Sequence, residues 1–87
     1  MSHLPNDHPL KLAHRRSIWH RAEIEASRLC GCFHCERIFR ANSIVDWTDN
    51  GQTALCPSWG IDSVLGDASG LPITVAFLRE MRIVWCS

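Results

Sequence analysis

Eighty-seven residues make one small domain whose apolar core alone would be marginal, so a staple such as a bound metal is a natural addition. Nine basic residues balance nine acidic ones, which argues against a generic polyanion binder while leaving room for a local basic patch. No apolar run approaches the ~18 residues of a membrane span, and no basic segment followed by an apolar one opens the chain. Five cysteines without such a leader suggest reduced thiols in a cytoplasmic protein, and their odd number argues against a closed disulfide framework.

Residues 1–8 are polar and read as a flexible N-terminus, followed by a single domain over residues 9–87. Residues 9–28 follow a helical pattern, with Pro9 suited to a first turn and Asp7 nearby as a cap. Ile18, Trp19, Ala22, Ala26 and Leu29 fall within one stripe about 100° wide, with Leu12 at its edge. Glu23, Ile24 and Glu25 face elsewhere. His14, Arg15, Arg16, His20, Arg21 and Arg28 make this helix basic. That is a solvated face or, more sharply, a contact surface. A nucleic-acid partner would use Arg15, Arg16, Arg21 and Arg28, and would need them to converge with Arg37 and Arg40.

Cys32-x-x-Cys35 is a metal-knuckle spacing, because two thiolates separated by two residues can turn inward on a tight loop and grip one ion. A short strand should follow up to residue 40, with Phe33, Ile38 and Phe39 over the site. Ser43-x-x-Asp46 resembles a capping box and predicts a short helix of about 44–48. Asp49-Asn50-Gly51 is a turn signal, and Thr53-Ala-Leu-Cys56 then reads as a strand entering a second knuckle. Gly60 to Gly66 reads as the strand leaving it, and Asp67 to Gly70 as a loop. Thr74 caps a last helix over 75–85, with Phe77, Leu78, Met81, Val84 and Trp85 on one stripe. The expected apolar core is Trp19, Phe39, Trp47, Phe77, Met81 and Trp85.

Cys56-Pro57-Ser58-Trp59-Gly60 resembles the second knuckle of a zinc ribbon or rubredoxin, whose usual form is Cys-Pro-x-Cys-Gly, with Trp59 at the fourth position. Cys32, Cys35 and Cys56 therefore supply three ligands for a tetrahedral site, with zinc the expected ion. Cys30, His34, Asp62 or a water could complete the shell, or Trp59 could plug the space with no metal bound. Cys30 could also be a small buried hydrophobe, which is the preferred assignment for Cys86. An open fourth position is also the arrangement of catalytic zinc, for which Glu36 or Asp62 could serve as base. The deaminase and His-Glu-x-x-His signatures are absent, as are a Gly-rich phosphate loop and Gly-x-Ser-x-Gly. A Cys35–His34 nucleophile is disfavoured because adjacent side chains rarely meet in hydrogen-bond geometry.

The runs Cys30-Gly-Cys-Phe-His-Cys35, Gly51-Gln-Thr-Ala-Leu-Cys-Pro57, Gly60-Ile-Asp-Ser-Val-Leu-Gly66 and Ser69-Gly-Leu-Pro-Ile-Thr74 resemble a family of short bacterial cytoplasmic proteins. The resemblance implies a zinc-ribbon-like fold flanked by helices and supplies no activity. The expected architecture is therefore α+β, a small β core with two knuckles between an N-terminal and a C-terminal helix. Strand pairing is expected among segments near 36–40, 53–56 and 61–65. Two functions are compatible with it. One is a non-enzymatic metal-knuckle module that binds a protein, or else a nucleic acid. The other is a small metal- or thiol-dependent enzyme using an open three-cysteine site.

Overall fold

The computed structural model describes residues 8–86 as a mixed α+β fold with helices at both ends. The N-terminal residues 1–7, and with them Asp7, lie outside the described residues; His8 caps α1 (Pro9–Arg15), its Nδ1 accepting from the Leu10 amide at 3.1 Å. The remaining helices are α2 (Arg21–Glu25) and α3 (Val75–Trp85). The strands are β1 (Leu29–Cys32), β2 (Ile38–Arg40), β3 (Trp47–Thr48), β4 (Thr53–Ala54) and β5 (Val64–Gly66). β1 is central in a three-stranded antiparallel sheet of order β2-β1-β5, and β3 and β4 form a separate hairpin.

Side chains alternate across a strand, and β1 uses this to face two cores. Cys30 and Cys32 point with Val64 toward Ile24 of α2 and toward Ala54 and Cys56 of the hairpin region. On the other face lie Leu65, Phe33, Ala13 of α1, and Leu78 and Met81 of α3. Gly31 sits under Leu78 and Ile73, so a Cβ there would come within 2.7 Å of a Leu78 methyl. α3 begins at Thr74, whose side chain accepts from the Phe77 amide, as its sequence predicts. Its last turn is tied to α1 by Trp85, whose Nε1 donates to the Leu10 carbonyl at 3.2 Å while its ring lies 4.1 Å from that of His14.

The long helix expected over 9–28 is two short ones. Ser17 Oγ donates to the His14 carbonyl at 2.6 Å and closes α1. Trp19 then takes a positive φ of 50°, and the chain turns. The amides that a continuous helix would use are spent on the hairpin: Trp19 donates to Thr53 Oγ1 at 2.8 Å and His20 to the Gln52 carbonyl at 2.8 Å. The predicted stripe fails with the helix. Leu12, Ile18, Trp19 and Leu29 are exposed, Trp19 by 62%, whereas Ile24, expected to face away, is buried. Trp19 is thus not part of the core. Of the expected core residues Met81 is fully buried, and Phe39, Trp47, Phe77 and Trp85 pack at its margins. The helix expected at 44–48 is replaced by a 3₁₀ turn at Ala41–Ser43 and by β3. The turn at Asp49-Asn50-Gly51 forms as expected, with all three residues at positive φ. Segments near 36–40 and 61–65 flank β1 instead of pairing with each other, and residues 53–54 pair with β3.

His20, expected on a basic helix face, is a core strut only 5% exposed. Its Nδ1 lies 2.6 Å from the Arg16 carbonyl, and its Nε2 accepts from the Ala54 amide at 3.1 Å. Both bonds are satisfied together only by the neutral ring with its proton on Nδ1. Burial lowers the His20 pKa, outweighing the Arg16 carbonyl and the Glu23 charge, which raise it. Burial likewise lowers that of His14 against the opposing charge of Asp62. In both cases the unfolded chain takes up the proton first as pH falls. Their stabilising contribution is therefore complete above the unfolded pKa of 6.5 and is lost as pH drops toward the folded values. Urea unfolding should show stability falling between pH 7 and pH 5, and His20→Gln should make that slope shallower while lowering stability at pH 7. A slope unchanged by the substitution would remove His20 from this account.

Gly66 gives a second check. A Cβ there would overlap Ser27 Oγ, which is held by donation to the Glu23 carbonyl at 2.8 Å and by the Ala68 amide at 3.0 Å. Gly66→Ala should cost about 1–3 kcal/mol in denaturant unfolding. Gly31→Ala should cost less, because it meets only the ends of Leu78 and Ile73.

Candidate metal centre

The sulfurs of Cys32, Cys35 and Cys56 all lie within 4.8 Å of one another, with Cys35 and Cys56 at 3.8 Å. Three cysteines brought this close could hold a metal ion. Each comes from a different part of the chain: Cys32 ends β1, Cys35 sits on the turn that follows, and Cys56 follows β4. The five cysteines are all free thiols.

Two turns of the same construction make the convergence. The Cys32 carbonyl accepts from the Glu36 amide at 2.7 Å, and the Cys32 amide donates to the Arg37 carbonyl at 2.9 Å. The Cys56 carbonyl accepts from the Gly60 amide at 2.7 Å, and the Cys56 amide donates to the Ile61 carbonyl at 2.9 Å. The amides of His34 and Cys35 bond the Cys32 sulfur, as those of Ser58 and Trp59 bond the Cys56 sulfur. Glu36 and Gly60, the fifth residues of the two turns, have φ of 63° and 66°. Position by position the turns superpose in their bonding, and Trp59 stands where the first turn has Cys35.

This construction fits a cation-binding thiolate set. Amides aimed at sulfur stabilise its charged form. Burial raises the Cys56 thiol, but the amides of Ser58 and Trp59 and the thiols of Cys32 and Cys35 more than offset that and leave it below its ordinary value. Burial pushes the Cys32 thiol up to about 12 against the bonds from Ser63, Cys35 and His34. A cation among the three sulfurs would supply the charge that makes the buried Cys32 thiolate tenable.

The candidates for a fourth ligand do not join this group. Cys30 points to the same face as Cys32 but stands two residues along the strand, roughly 6.6 Å away. It packs in the core, where burial and then the Asp67 charge push its thiol up to about 12. His34 turns to the edge of the Trp59 ring, centroids 6.2 Å apart. Asp62 is exposed and acts on His14. Cys86 is exposed at the end of α3, not the buried hydrophobe expected there. Trp59 does not cover the sulfurs as a plug; it swings outward and is 62% exposed.

Two residues beside the site escaped the sequence reading. Ser63 Oγ lies 3.1 Å from Cys32 Sγ, and nothing in the sequence distinguishes this serine from others. Glu36, considered only as a base, is instead a tether: its carboxylate oxygens each lie 3.1 Å from a guanidinium nitrogen, of Arg79 and of Arg82. The Arg82 bond holds the Glu36 carboxyl below its ordinary range against the cost of burial, with Arg79 adding to it. The signal that could have found it is its alignment with Gly60, since only a turn demanding positive φ pairs those positions.

The arginines that a nucleic-acid partner would need on one face line separate grooves, with Arg15 and Arg16 sharing one. Arg16 pairs with Glu23 at 3.2 Å, and Arg21 pairs with Glu25 at 3.1 Å, bonds the Gly51 carbonyl and stacks 4.4 Å over Trp47. Arg28 and Arg40 line one groove with Asp67, and Arg37 lines another with Cys35. No described helix is long and apolar enough to cross a membrane.

The Glu36 turn yields a discriminating pair of substitutions. Glu36→Ala loses the Arg79 and Arg82 contacts and keeps a side chain in the left-handed region, whereas Glu36→Gly loses the same contacts but relieves the backbone. The glycine variant should exceed the alanine variant by about 1 kcal/mol in chemical unfolding. Equal stabilities would mean that the turn exerts no such demand. No protein-family model, no curated protein and no solved structure matches this chain.

Proposed function

We propose that this protein is a small non-enzymatic module in which Cys32, Cys35 and Cys56 hold one zinc ion and the surrounding surface binds a protein partner. The observation that supports it is the doubled turn: two segments far apart in sequence aim four amides at two of three clustered sulfurs. Thiolate-rich sets of this kind favour zinc, whose role in such sites is to bind segments together. The balanced charge and the dispersed arginines favour a protein over a nucleic acid as partner. Zinc bound this way would link β1, the hairpin and the approach to β5, and no chemical step is assigned to it.

The domain also has cores on both faces of its sheet, built on Ile24 and Val64 on one side and on Leu65, Leu78 and Met81 on the other. Its fold therefore rests chiefly on apolar packing, and Trp59 in place of a fourth thiolate weakens metal affinity. Metal analysis of the purified protein should find one zinc per chain. Cys56→Ser should lose at least about 100-fold in zinc affinity, since even residues that only orient ligands are worth about 10–100-fold. A strong chelator should change the melting temperature of the wild type little and that of Trp59→Cys substantially. Absence of any zinc, or equal zinc affinity in the wild type and Cys56→Ser, would overturn the proposal.

A further inference from the structure

Beside Cys35 the surface opens into a groove of about 350 Å³ lined by His34, Cys35, Arg37, Trp59 and Arg82. It lies where the two turns are unlike: one side carries the Cys35 sulfur, and the other carries Trp59, the residue aligned with it. The Trp59 ring has left the sulfur cluster for the groove wall, where it meets His34 edge-on at 6.2 Å. Arg37 and Arg82 bring positive charge. Glu36 neutralises part of it through its 3.1 Å contact with Arg82, so Arg37 is the cation left to face the groove. Of the three cysteines Cys35 lines the groove and Cys32 and Cys56 lie buried behind it, so the groove, with its aromatic wall and guanidinium, is suited to a ligand with a soft donor at one end and a negative charge at the other.

We propose that this groove admits a small thiol bearing a carboxylate, whose sulfur completes the coordination of the metal held by Cys32, Cys35 and Cys56 and whose carboxylate pairs with Arg37. The inference rests on the metal-binding reading above and goes beyond it by naming what the incomplete site takes up. The incoming sulfur takes the place that a cysteine at position 59 would fill, and its thiol proton passes to solvent. The groove is of the size that holds a small molecule, at the low end of the ~300–1,000 Å³ usual for such sites. Four amides already directed at Cys32 and Cys56 spread the charge that a fourth thiolate would add.

The test uses the purified protein loaded with cobalt(II), whose visible and near-ultraviolet bands report the number of sulfur ligands. Titration with 3-mercaptopropionate should strengthen the sulfur-to-cobalt charge-transfer band and saturate. 2-Mercaptoethanol, which lacks the carboxylate, should bind about fivefold more weakly, the ratio that one exposed ion pair near 1 kcal/mol supplies. Arg37→Gln should bring the two thiols to equal affinity. Trp59→Cys should show the four-sulfur spectrum without added thiol and no longer respond to either one. Propionate alone should leave the charge-transfer band unchanged. A spectrum indifferent to both thiols would overturn this inference and leave the metal reading standing. Equal affinities for the two thiols in the wild type would also overturn the inference. Failure to bind cobalt at all would overturn the metal reading and this inference together.

Discussion

The two turns that bring the cysteines together depend on amides pointed at sulfur. A knuckle turn bends the chain sharply enough to aim consecutive N–H groups inward, and those groups need an electron-rich partner at the centre. Cys32 and Cys56 provide it, each for two amides. Because Cys32 ends the central strand, its turn sets the register in which β2 returns along β1, with Gly31 opposite Ile38. Because Cys56 follows the hairpin, its turn carries the chain back toward β5 on the other edge of the same strand. Cys32 Sγ and Ser63 Oγ, 3.1 Å apart, join the two routes just before β5 begins. Two sulfurs thus mark where the outer strands meet the central one, while apolar packing on both faces of the sheet holds the fold.

The parts of this arrangement that sequence revealed are those fixed by local chemistry. Cys-x-x-Cys spacing, the Asp49-Asn50-Gly51 turn and the Thr74 cap each depend on a few adjacent residues, and each forms as expected. The segment 9–28 failed for the opposite reason. Its apolar spacing satisfied a helical period, but its Trp19 and His20 amides are taken by Thr53 and Gln52, more than thirty residues away. A periodic pattern has no means of registering that competition. The strand at Leu29–Cys32 was hidden in the same way. Its Cys-Gly-Cys content reads as loop or metal site, while its strand character comes from two partners, β2 and β5. His20 looked like surface because it lay among arginines; its burial follows from the broken helix.

The site itself was legible in three cysteines and illegible at its border. Spacing placed Cys32, Cys35 and Cys56 together, but it could not separate Cys30 from the set. Strand geometry does so, since Cys30 occupies the same face one pleat away from Cys32 and packs with Ile24 and Val64. Spacing does align Glu36 with Gly60, but it could not reveal what the glutamate side chain does there. A glycine would adopt that turn at less cost, so the glutamate must offer something glycine lacks. It offers two oxygens to Arg79 and Arg82, which tie the first turn to α3. The second turn has the inexpensive residue and no such tie.

That difference bears on Trp59. In the first turn the backbone is held from outside by the Glu36 tether and from inside by the sulfur of Cys32. In the second, Gly60 has open space around its Cα, and Pro57, Ser58 and Trp59 are all exposed. Trp59 can therefore turn its ring away from the sulfurs without disturbing the bonds that define the turn, because those bonds run between backbone groups and Cys56. For the same reason the turn needs no thiolate at position 59. The turn matches the first in its backbone bonds while carrying a side chain that cannot ligate, and Cys35 lines the groove between Trp59 and Arg37.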